Sequence, residues 1–422
     1  MRHTVWLLLG AMLVGCQRQS ASPLAASRGG GGNEGVPAEV TSLIERGESD
    51  QALSKLTELI GQQPRDSMLY SVRATLRHRL GLNDEAIADL NRAIELDDKD
   101  ARLHNNRGFV LLGMQQFAEA LKDLDRATQL DPDYPNAFNN RGLLYIAQGR
   151  YSEAIEQLDQ ALKFDPNYVD AYNNRGFASL QAGQLGPALA DFNTAMKINP
   201  KYVNAYNNRG LLRLRAGDLE NAVIDFTEAM MLDPLNPKYY QHRREVYVRL
   251  SAFDKAGADQ QRHAWLERLG QLTSLAAKNP GDSELLLQRA RHHLKVDDDD
   301  KALRDLDRAL AINPRSTAAL VVRATIRARW KEYQQALSDA EAALAIEPSQ
   351  GAFSARGDAC LGLKDYDRAI ESFAEARRID PAVAEAYYRK SQILQSSGEA
   401  ERAAETLERA LALDPDIQSR LR

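Results

Sequence analysis

The chain has 422 residues, 44% of them apolar and 27% charged, and a formal net charge of −5. Charges of both signs alternate along it and leave no basic stripe for a polyanion, which excludes nucleic acid as the expected partner. With only two cysteines, Cys16 and Cys360, no disulfide framework is possible.

Arg2 and His3 make a basic start, and Val5 to Val14 form an apolar stretch far too short for a permanent membrane span. Residues 1–15 therefore read as a secretion signal. Its end, Leu13-Val14-Gly15-Cys16, resembles the bacterial lipobox. That resemblance implies cleavage before Cys16 and acylation of its thiol, the alternative being an incidental cysteine in an ordinary signal peptide. Gln17 in place of Asp implies sorting to the outer membrane, facing the periplasm of a bacterial envelope. Residues 16–36, with the run Gly29 to Gly32, have almost nothing to pack and read as a flexible linker with a reach on the order of 25 Å.

From residue 37 onward the chain repeats itself. Asn105 to Gly108, Asn139 to Gly142, Asn173 to Gly176 and Asn207 to Gly210 all read Asn-Asn-Arg-Gly, at a 34-residue step. Units end at Pro64, Asp98, Pro132, Pro166, Pro200, Pro234, Pro280, Pro314, Pro348, Pro381 and Pro415. Each reads as a helix, a turn near a Gly, a second helix and a proline that cannot continue it. A period of this length predicts a stacked helical array whose units bury their apolar faces against their neighbours.

In one unit Phe138, Gly142, Tyr145, Ala154, Leu158, Ala161 and Pro166 alternate aromatic, small and bulky residues, and the next repeats this with Tyr172, Gly176, Ala188, Phe192, Ala195 and Pro200. In these residues the chain resembles the tetratricopeptide repeat family over roughly 37–417. The resemblance implies an all-α, right-handed superhelical solenoid of about 11 helix-turn-helix units. Its first helices are expected to line a concave face.

The step from Pro234 to Pro280 is 46 residues, twelve over the period. Leu266, Leu269, Leu272 and Leu275 keep helical spacing there with no Pro between Phe253 and Lys278, so one lengthened helix is expected, or else a degenerate repeat squeezed into the span. A change of direction at this point divides the array into blocks at 37–248 and 249–417, with 418–422 as a short tail.

The seventh residue of each unit is Arg, and an aspartate follows sixteen residues later in seven units, as in Arg107 with Asp123, Arg175 with Asp191 and Arg209 with Asp225. Gln157 and Ser372 break the rule. A partner that travels with the Arg points to an ion pair joining the two helices of a unit, the rival being an arginine ladder for acidic ligands. The family resemblance places Asn106, Asn140, Asn174 and Asn208 in the groove, with Asn105, Asn139, Asn173 and Asn207 as a second amide row. Phe109, Leu143, Phe177 and Leu211 stand beside them as apolar contacts. Amides carry donor and acceptor together and suit the backbone of an extended peptide, the alternative being that they simply bond neighbouring helices.

After Pro415 too little chain remains for a full closing helix, so Leu407, Leu411 and Leu413 are left either to a homo-oligomer contact or to a short cap made by Ile417 and Leu421. Cys360 falls in a core-facing slot. His292 and His293 precede Asp297 to Asp300, and the four consecutive aspartates lack the spacing of a calcium loop, so no metal or other cofactor is expected. No catalytic constellation is legible. The expected function is a lipid-anchored scaffold that binds extended segments of envelope proteins, with a self-assembling envelope component as the alternative.

Overall fold

The computed structural model describes residues 37–421. The signal, Cys16 and the linker lie outside the described residues. Among those described there are twenty-three α-helices, one short 3-10 turn and no strand. Successive helices pack as antiparallel pairs, a leading and a trailing helix per unit.

Local chemistry sets the period. Leading helices begin where Asp66, Asp100 or Asn236 accepts from a first-turn amide, or where Pro135 or Pro237 occupies the first helical position. They end in a turn whose penultimate residue takes positive φ, as Gly149, Gly183 and Gly217 do. Trailing helices place alanines such as Ala120, Ala154, Ala188 and Ala222 wholly in the core.

The repeated Gly of the leading helix allows close approach. A Cβ on Gly176 or Gly210 would lie 2.7 Å from the ring of Phe192 or Phe226, and one on Gly142 would lie 2.7 Å from Leu158. Only a residue without Cβ lets the trailing helix seat its bulky side chain there.

The chain forms two compact units, up to Arg262 and from His263 onward. In the first, the leading helices Ala101–Gly113, Pro135–Ala147, Val169–Gln181, Val203–Ala216 and Pro237–Arg249 follow one another at the regular step. Phe253–Lys278 is one uninterrupted helix of 26 residues, as the leucine spacing predicts. The boundary of the two units, between Arg262 and His263, falls within the span of this helix.

In the second unit Cys360 is fully buried among Ala336, Ala359, Phe373 and Ala386, and burial pushes its thiol pKa up. At the end of the chain Ile417–Arg420 forms one helical turn. Ile417 is fully buried against Ala384, Tyr388 and Ala410, with Leu407, Leu411 and Leu421 half-buried around it. A short cap thus packs on Leu407 and Leu411, while Leu413 stays exposed.

Candidate functional site

In several units the arginine is a hub for three helices. In the unit beginning at Ala101, Arg107 donates from Nε and Nη2 to both Asp123 oxygens at 2.7 Å, and from Nη1 to Asn91 Oδ1 at 2.7 Å. Asp123 lies sixteen residues ahead on the unit's own trailing helix, and Asn91 sixteen behind on that of the preceding unit. Arg175 repeats this with Asp191 and Asp159, and Arg209 with Asp225 and Asn193. In the second compact unit Arg323 does the same with Asp339 and Asp307.

A planar fork fits this role because its two edges point in different directions. The Asp191 carboxylate beside Arg175 holds the guanidinium pKa above its ordinary value, against the effect of burial. Asp89, Asp225 and Asp339 each take a second arginine, from Arg77, Arg213 and Arg327. Arg107, Arg175, Arg209 and Arg323 thus join the two helices of their own unit and also bond backward to the preceding unit.

Two units lack the aspartate. Arg356 Nε donates to Ser372 Oγ at 2.8 Å. At Gln157 the clamp is open. Arg141 reaches only Thr128 and Asp125, at 3.4 and 3.3 Å, while Arg141 Nε and Gln157 Oε1 are both buried without a partner.

The asparagines form a row along the leading helices. Asn140 Nδ2 donates to Asn105 Oδ1 at 2.8 Å, Asn174 to Asn139 at 2.9 Å and Asn208 to Asn173 at 2.9 Å. Each bond joins the sixth residue of one unit to the fifth of the unit before. Asn106 opens the row on Ser71 Oγ at 3.3 Å, and His242 closes it, its Nδ1 lying 2.9 Å from Asn207 Oδ1. The acceptor is a carbonyl oxygen, so Nδ1 carries the proton. Burial and then Lys238 press the His242 pKa down to about 4.

This arrangement corrects the expectation that both amide rows and the four apolar side chains face a ligand, and matches the alternative that the amides bond neighbouring helices. Asn105, Asn139, Asn140, Asn173, Asn174 and Asn208 are buried, as are Leu143 and Phe177. The reason is physical: stacked leading helices bring fifth and sixth residues within bonding distance, and a buried amide must find a partner. Asn106, Asn207, Phe109 and Leu211 remain half-exposed at the ends of the row. The link between units was legible as an offset of 35 residues, one more than the period.

In the second compact unit His292 stacks on Trp265, with centroids 5.1 Å apart. Each ties to the other's backbone, Trp265 Nε1 donating to the His292 carbonyl and His292 Nε2 lying 2.8 Å from the Trp265 carbonyl. His293 is buried, with Nδ1 at 3.6 Å from Asp298. The pair of histidines thus belongs to packing.

A family model described as TPR repeat matches residues 76–115, 114–149 and 142–183. Two described as tetratricopeptide repeat match 171–237 and 360–422. Together these cover more than half of the chain. No curated protein matches it. Similar solved structures include MamA from Desulfovibrio magneticus RS-1, 21% identical over 40% of this chain and 96% of that one, with a TM-score of 0.35. PilF of Pseudomonas aeruginosa is 18% identical over 55% and 99%, with a TM-score of 0.42. PilW, a type IV pilus biogenesis factor, is 22% identical over 52% and 96%, with a TM-score of 0.43.

Proposed function

The chain belongs to the tetratricopeptide repeat family, and from that premise we propose that it is a non-enzymatic scaffold holding extended segments of envelope proteins along its leading helices. The observation that carries this reading is the unbroken amide row from Ser71 to His242. A carboxamide has two N–H donors and two acceptor lone pairs, so Asn106 and Asn207, half-exposed at the ends of the row, keep capacity beyond their bonds within it. Asn106 with Phe109, and Asn207 with Leu211, are the half-exposed places where an extended backbone gains both an amide and an apolar contact. Lipid on Cys16 and the linker behind it tether the scaffold to the outer membrane on its periplasmic side.

Photo-crosslinking amino acids at Phe109 and Leu211, introduced in cells, test the binding face against a control at Lys122 on a trailing helix. Adducts to the same protein from the first two positions and not from the third are expected. Equal adducts from all three, or none, overturn the reading. Tethering is tested separately by alkyne-palmitate labelling, which Cys16→Ser should abolish.

A further inference from the structure

Among the described residues, no large apolar side chain between Leu82 and Ile224 is exposed. At the end of the first compact unit this changes, and the repeat supplies its own control. The twelfth residue of each unit is buried as Leu112, Ile146, Leu180 and Leu214, yet Val248 at the next step is 44% exposed. The residue opening each trailing helix, half-buried as Phe117, Tyr151, Leu185 and Leu219, becomes Phe253, 67% exposed.

What covers these positions elsewhere is on view. Leu180 and Leu185 pack against Leu212 of the following leading helix, and Leu214 and Leu219 against Val246 and Leu250 of the next. Leading helices begin at Pro135, Val169, Val203 and Pro237, and one more step reaches Gln271, which lies inside the helix Phe253–Lys278. The leading helix due to cover Val248 and Phe253 is therefore missing from the regular sequence. Gly257 stands where Leu121, Ile155, Leu189 and Val223 stood, and a Cβ on it would meet nothing within 4 Å. A second backbone can come close there.

We propose that Val248, Phe253 and Gly257 seat an amphipathic α-helix of another protein, which takes the place of the missing leading helix. The surface continues the unit-to-unit interface by one step, and that interface states the chemistry of its occupant: a helix with aliphatic residues four apart, as Val246 and Leu250 are. The flanks, Arg249 paired with Glu245 and Asp254 beside Lys255, carry balanced charge and select no sign. The exposed parts of the two side chains offer on the order of 200 Å², against about 800 Å² per partner in a stable complex, so the seat suits a weak, reversible partner, and a second copy is an outcome that the test distinguishes.

The probe is a fluorescent, end-capped peptide with the sequence of residues 237–252, which covers the equivalent surface one unit earlier. Fluorescence anisotropy with the full chain should show saturable binding, weakened at least tenfold by Phe253→Asp or Val248→Asp and unchanged by Ile224→Asp. Circular dichroism should show unaltered helix content in all three. Absence of saturable binding, or binding untouched by Phe253→Asp, overturns the proposal. Sedimentation showing a dimer that Phe253→Asp dissociates overturns it in favour of a second copy.

Discussion

The two compact units share one device and differ in another. Arg289 with Asp305 and Arg323 with Asp339 clamp their hairpins as Arg107 and Arg209 do in the first unit. The amide row belongs to the first unit alone. Where it has Asn-Asn, the second has Leu287-Gln288, Val321-Val322, Ser354-Ala355 and Tyr388-Arg389. Leu287 is buried there, and Val321 and Val322 pack against the same apolar cluster. The clamp inside a hairpin is thus common framework, whereas the contact between leading helices can be polar or apolar. A polar contact fixes register, since every misalignment strands a buried amide.

The largest expected effect separates clamp from row. Asp225 is fully buried and holds both Arg209 and Arg213. Asp225→Ala leaves two guanidinium groups without their carboxylate and should cost about 3 to 5 kcal/mol in urea unfolding. Asn174→Ala, which strands the Asn139 carbonyl oxygen and removes the longer bond from Asn173 Nδ2, should cost about 1 to 3 kcal/mol. Equal costs would break the ranking of framework over row.

Between these stands the end of the row. His242 is buried with a pKa lowered to about 4, from 6.5 for a free histidine. A group depressed in the folded state contributes stability in full above its unfolded pKa and loses it as pH falls toward the folded one. Stability should therefore decline between pH 6.5 and 4, by up to about 3 kcal/mol. His242→Asn, which supplies the amide used by the other units, should remove this part of the pH dependence. A parallel pH profile in wild type and variant would show that His242 does not titrate against folding.

The hairpins, the 26-residue helix and the Arg–Asp offset were legible because each is a relation inside one repeat, set by spacing along the sequence. What the amides do was not. A single unit leaves Asn173 and Asn174 on a surface, where an amide suits a ligand and a neighbouring helix equally well, so the sequence does not choose between the two. Stacking converts that surface into a contact, and the 35-residue offset carries the information only when two units are read together. Exposure of Val248 and Phe253 was hidden for the same reason, since their residue types match the buried positions of earlier units and only the absence of the next helix uncovers them.

The smallest effect is a gain, and it tests whether the clamp is a rule of the repeat or of particular sequences. Arg141 Nε and Gln157 Oε1 are buried and unpartnered at the one place in the amide-bearing hairpins where the aspartate is missing. Gln157→Asp installs the partner found sixteen residues after Arg107, Arg175 and Arg209. The hairpin has the same helix lengths as the next one, so two charge-assisted bonds of the kind made there should add about 1 to 2 kcal/mol. The gain must vanish when Arg141→Met is present as well, because only the pair produces it. A gain that survives Arg141→Met would come from helix propensity or solvation, and the clamp would then be a correlate of the hairpin rather than its cause.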